Sequence, residues 1–161
     1  MKVLNWIKFI SVFLIALASV IIVVVFYSAN KPLASAKVTA KDAAIESGEV
    51  VSVKTVQSYN GTVALSTVFG TNKDGVEIAL FVDDAMKGNY ASVKLADGIT
   101  ADEAIKTVKK ELDVKKLLHV TLGLEEGNPV WEVVYTSDND KLNYVYVLFE
   151  NGQWWKRILN L

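Results

Sequence analysis

The chain contains no cysteine, two prolines and one histidine in 161 residues. Without cysteine there can be no disulfide, no thiolate metal site and no cysteine nucleophile. A lone histidine, His119, cannot build a multi-histidine metal centre, and a catalytic base would need a nucleophile or a polarised water beside it. Acidic residues are missing from the first part of the chain. All 18 lie in the part from Lys31 onward, where they face 15 of the 17 basic residues and leave a formal charge of −3. A nucleic-acid binder ordinarily shows a basic excess, so this balance argues against nucleic acid as a partner. Nothing in the composition calls for a cofactor, a metal or a small-molecule substrate.

The first segment is rich in apolar side chains. Phe9 to Tyr27 carries no charge, and before Tyr27 only Ser11 and Ser19 bear hydroxyls. As a helix of about 1.5 Å rise per residue this stretch measures about 28 Å, close to a bilayer's hydrocarbon thickness. A signal-peptide core is shorter, roughly 7–15 residues. Ala34-Ser35-Ala36 matches a small-residue cleavage pattern, but Lys31 and Pro32 stand between it and the apolar run. The segment therefore reads as a retained single-pass anchor, with residues 1–30 as tail and span. Lys2 and Lys8 before the span nearly balance Lys31, Lys37 and Lys41 after it. A short tail ahead of a first span favours a cytoplasmic N-terminus with the bulk of the chain outside. Trp6 and Tyr27 flank the span, where amphipathic rings suit the interface.

Beyond Pro32 the pattern changes to short elements. Residues 35–47 read as a helix capped by Ser35 and ended by Gly48, followed by strands at about 50–58, 62–70, 75–83 and 90–95. The order then recurs. Thr100-Ala101-Asp102-Glu103 is a capping box, and Ala101, Ala104, Ile105, Val108 and Leu112 form one apolar helical stripe. Strands follow at about 115–124, 129–137, 141–150 and 153–159, the last two joined through Asn151-Gly152, a hairpin signal. Asp42–Ile45 aligns with Asp102–Ile105, and Val68–Asp74 with Val134–Asp140. The offset rises from 60 to 66, and this alignment matches the face of Val76, Ile78, Leu80 and Val82 to that of Leu142, Tyr144, Tyr146 and Leu148. The fold class is α+β: an N-terminal transmembrane helix and two tandem repeats, 31–97 and 98–161. Each repeat places one helix on three or four antiparallel strands. The second repeat is apolar on both sheet faces, so one face needs cover from the first repeat or from a partner.

Several residue groups have a functional and a structural reading. On the strand Leu118–Leu124, His119 and Thr121 point away from Leu118, Val120, Leu122 and Leu124, and His119 reads as a structural or surface histidine. Asp83-Asp84 and Glu125-Glu126 lack the alternating oxygen ligands of a calcium loop and read as solvated turns. Lys109-Lys110 and Lys115-Lys116 straddle the end of the second helix, where cations complement the helix dipole. Asn60-Gly61-Thr62 fits a glycosylation sequon and also a hairpin turn. Trp131, Tyr144, Tyr146, Trp154 and Trp155 are the candidate partner-binding set, because exposed Trp and Tyr dominate interface energetics. Trp154 and Trp155 are adjacent on a strand and face opposite sides, so one can enter the core while the other stays exposed.

An ordered set of stretches carries a family resemblance: YSANKP (Tyr27 to Pro32), VFGTNKDG (Val68 to Gly75), DGITADEAI (Asp97 to Ile105), LGLEEGNPVWEV (Leu122 to Val133) and NGQWWKR (Asn151 to Arg157). Together with the short basic tail and single span, they resemble the TseB-like (YpmB-like) cell wall elongation regulators. The resemblance implies a Gram-positive, single-span protein with tandem cystatin-like, PepSY-related repeats. It implies a non-enzymatic role outside the cell membrane, binding a monofunctional penicillin-binding transpeptidase of elongation, with no catalytic residues to carry over. Two other readings compete: a PepSY-type inhibitor or modulator of an extracytoplasmic peptidase, and a small enzyme or ligand carrier resting on His119 and scattered acids.

Overall fold

The computed structural model describes residues 2–83 and 90–161. The chain divides into two compact units, Met1–Ser35 and Ala36–Leu161. In the first unit, Asn5–Ala29 is a 25-residue helical stretch long and apolar enough to cross a membrane. Its large side chains are exposed, with Phe26 and Tyr27 more than two-thirds accessible. A helix with no polar face and no protein cover is suited to lipid. Helix α1 runs over Lys2–Glu46. Ser35 therefore lies inside a helix and does not cap one, contrary to the sequence reading. The pre-existing turns of α1 fix its φ/ψ and supply the i−4 carbonyls, so no new nucleus is required after Pro32. The expected C-terminal stop is present: Gly48 adopts φ 74°, and its amide donates to the Ile45 carbonyl at 3.1 Å.

The second unit contains two four-stranded antiparallel meanders. The first comprises β1 (Ser52–Asn60), β2 (Ala64–Thr71), β3 (Glu77–Asp83) and β4 (Tyr90–Lys94). After a 3-10 turn, helix α2 (Ala101–Glu111) leads into β5 (Lys116–Glu125), β6 (Asn128–Thr136), β7 (Leu142–Leu148) and β8 (Trp154–Ile158). All eight strands and both repeats of helix-then-meander are those the sequence predicts. The capping box forms as expected. The Glu103 amide donates to Thr100 Oγ1 at 3.3 Å, and Glu103 Oε2 accepts from the Thr100 amide at 2.8 Å. That amide, and the Thr100 hydroxyl donating to the same oxygen at 2.8 Å, hold the Glu103 carboxyl below its ordinary value.

The alignment of the repeats needs one correction. Gly75 and Asp140 take the same left-handed turn position, with φ 76° and 59°, and they are 65 residues apart. The turns close alike, the Asn72 amide on Val76 and the Ser137 amide on Lys141, each at 3.0 Å. An offset of 66 is thus one residue too long here. A one-residue slip exchanges the two faces of a strand. Ile78, Leu80 and Val82 pack with Ala40 and Ala44 of α1. At an offset of 65, Leu80 and Val82 match Val145 and Val147, on the face that α2 covers, and Ile78 matches Asn143. The register places Val147 opposite Trp154, which reaches Glu111 at the end of α2. Tyr144 and Tyr146 lie on the other face. The first strand of each sheet is irregular at the same place: register shifts at Lys54 in β1 and at Leu118 in β5. The bulge turns Leu118 outward, to 44% exposure, against the simple alternation expected there.

The first sheet is apolar on both faces. One takes α1. The other contributes Tyr59, Leu65, Phe69, Ala79 and Phe81 to a core that also holds Ala104 and Val108 of α2 and Leu122, Val133, Val145 and Val147 of the second sheet. The two repeats therefore share one core, which suits their small size.

Candidate functional site

The five candidate aromatics do not form one surface. Trp131 is buried, and its indole donates to the Ile99 carbonyl at 2.8 Å. Trp154 is half-buried, donates to Glu111 Oε1 at 3.0 Å and carries the Arg157 guanidinium 3.9 Å above its ring. Arg157 also pairs with Glu111 at 3.7 Å, so these three side chains tie β8 to the end of α2. On the opposite face Tyr146 is buried and Tyr144 half-buried, with Lys156 Nζ 5.8 Å from the Tyr146 ring centre. Trp155 is 38% exposed. It sits where the β7–β8 register shifts, so the strict alternation with Trp154 is broken locally while the expected split between inner and outer tryptophan holds.

The polar feature that sequence reasoning missed is a junction between the repeats. Glu125, read as part of a solvated turn, is buried at 3% exposure. Its Oε1 accepts from Tyr59 Oη at 2.6 Å and from the Thr62 amide at 2.9 Å, while Oε2 accepts from Thr62 Oγ1 at 2.6 Å. Burial works to raise the Glu125 carboxyl, but the three donors outweigh it and hold the group below its usual value. The same contact pushes the Tyr59 phenol upward, first by burial and then by the adjacent carboxylate. Gly61 and Gly123 make room: a Cβ at Gly61 would collide with Glu125 and Tyr59, and one at Gly123 with the Tyr59 ring. Glu126 is exposed as expected, and Asp84 of the other acidic pair lies outside the described residues.

A second buried carboxylate, Glu132, lies on β6. His119 Nε2 stands 3.2 Å from Glu132 Oε1, and Tyr146 bonds the same carboxylate. Burial and that bond raise the Tyr146 phenol. His119 is exposed, a surface histidine with one structural partner. Lys115 pairs with Asp140 at 2.7 Å, which raises the Lys115 ammonium and gives that cation a specific partner beyond the helix end. The Asn60-Gly61-Thr62 stretch is the β1–β2 turn. The arrangement is a set of structural hydrogen bonds joining two sheets.

Known proteins match this architecture. The family model for the cell wall elongation regulator TseB-like domain covers residues 39–83. The probable cell wall elongation regulator TseB of Bacillus subtilis (strain 168) is 30% identical over 110 residues, 68% of each chain. The solved YpmB protein from Bacillus subtilis superposes with a TM-score of 0.68 at 29% identity, over 75% of this chain and 94% of that one. With the single apolar helix, the two helix-plus-meander repeats and that shared extent, the chain belongs to the TseB-like family of cell wall elongation regulators.

Proposed function

We propose that this protein is a non-enzymatic regulator that docks, from the outer side of the membrane, on a monofunctional penicillin-binding transpeptidase of cell wall elongation. Family membership supports the regulatory role. The observation that carries the mode of action is the 25-residue apolar span joined to a folded unit. Tethering confines the folded unit to a thin layer, which raises its effective concentration for membrane-anchored partners without any new contact. In this reading Trp155 is the outward aromatic of the candidate set.

In-cell photocrosslinking from position 155 of the full-length protein tests the partner. Recovery of a penicillin-binding transpeptidase is the expected result. Exclusive recovery of an envelope peptidase would replace this reading with the PepSY-type modulator. The absence of cysteine makes topology directly testable, because a single cysteine placed at Lys73 would be the chain's unique thiol. An impermeant maleimide should label it in intact cells.

A further inference from the structure

We infer that Glu125 is a charge-operated latch between the two repeats: as a carboxylate it holds the β1–β2 hairpin of the first repeat against the second, and without its charge the hairpin is released. The geometry is one-sided. Among the described residues, the hydrogen bonds to the Glu125 side chain all come from the hairpin, namely from the Tyr59 hydroxyl and the amide and hydroxyl of Thr62. A neutral acid or amide turns one carboxylate oxygen into a donor, so one of the two hydroxyls must turn to accept from it, and all three bonds lose the strengthening that the charge gives them. The hairpin has little else to hold it at its tip. Thr62, Val63 and Ala64 are exposed, and Gly61 contributes no side chain. The tip also forms one lip of an apolar cleft of about 280 Å³, whose other lip is Leu124, Glu126 and Gly127 of the β5–β6 turn. Releasing the tip opens this cleft while the Val133, Val145 and Val147 core under α2 stays packed.

The charged and titratable groups around the latch are Tyr59 on β1, Glu132 on β6, Tyr146 on β7 and Lys156 on β8, with Asp83 and Glu126 lining the cleft beside it. His119 is one step further, on Glu132. The two tyrosines are raised and stay neutral through the acid range. Lys156 favours the carboxylate form of Glu125. Because the Glu125 carboxyl is held below its ordinary value, the latch is closed above the ordinary carboxylate range and opens as the pH falls through that lowered value.

Hydrogen exchange of the full-length protein in lipid nanodiscs, corrected for intrinsic rates, tests the latch. Glu125→Gln should speed exchange across residues 59–65 about tenfold or more at neutral pH, with β6 and β7 unchanged. Tyr59→Phe, which keeps the ring on Gly123, should give a smaller acceleration confined to the same residues. Acidification should open the hairpin of the wild-type protein and produce no such step in Glu125→Gln. Unchanged hairpin exchange in Glu125→Gln overturns the inference. So does an equal acceleration in the hairpin and in β6–β7, which would make Glu125 an ordinary contributor to global stability.

Discussion

The ring of Tyr59, on the first sheet, rests directly against the backbone of Gly123, on the second. No side chain fits between them, so the contact sets how closely the sheets approach. The same ring carries its hydroxyl to Glu125, two residues further along β5. One glycine and one carboxylate thus receive a single tyrosine.

Gly123→Ala should destabilise the folded unit by about 1–3 kcal/mol, because a methyl group must displace a buried ring. Urea denaturation of the two proteins checks it. A loss below a few tenths of a kcal/mol would mean that Tyr59 moves aside freely.

Trp131 and Trp155 should behave oppositely. Trp131→Ala removes a buried ring and its bond to Ile99 and should cost about 3–5 kcal/mol. Trp155→Ala should leave the melting temperature nearly unchanged and reduce crosslinking to the partner from a probe placed at the exposed position 156. Thermal melts with crosslinking yields distinguish these effects, and a Trp155→Ala protein with full yield would move the docking surface elsewhere.

Thr100→Ala should cost about 1 kcal/mol through loss of the cap on α2. Thr100→Ser keeps the acceptor and should restore most of it. Equal loss in both variants would assign the effect to the methyl group of Thr100 and not to the cap.

Stability should fall at acid pH with a component that Glu125→Gln removes. The native state holds Glu125 as a carboxylate more strongly than the unfolded chain does, so its contribution is present above the ordinary carboxylate range and lost as pH falls through the lowered native value. Unfolding free energies measured across the acid range should therefore depend less steeply on pH in the variant. Parallel curves for the two proteins would contradict the assignment.

The elements were legible in the sequence because each rests on local chemistry. Alternating Val, Leu and Tyr mark the strands, Thr100 and Glu103 mark the start of α2, and Gly48 marks the end of α1. The features that escaped depend on distance along the chain or on irregularity. Glu125 looks like any acid in a turn, because its donors lie 63 and 66 residues away. The bulges at Lys54 and Leu118 leave no mark in the hydrophobic pattern, and matching Asp74 to Asp140 by residue type hides the fact that Gly75 holds the equivalent backbone conformation.

The paired irregularity at Lys54 and Leu118 bears on ancestry. An extra residue at the same point of the opening strand in both halves has its simplest origin in a single event, inherited when one ancestral module was copied in tandem. On that origin the kink would be older than the fusion, and the side chains at the two sites, a lysine and a leucine, would have diverged afterwards.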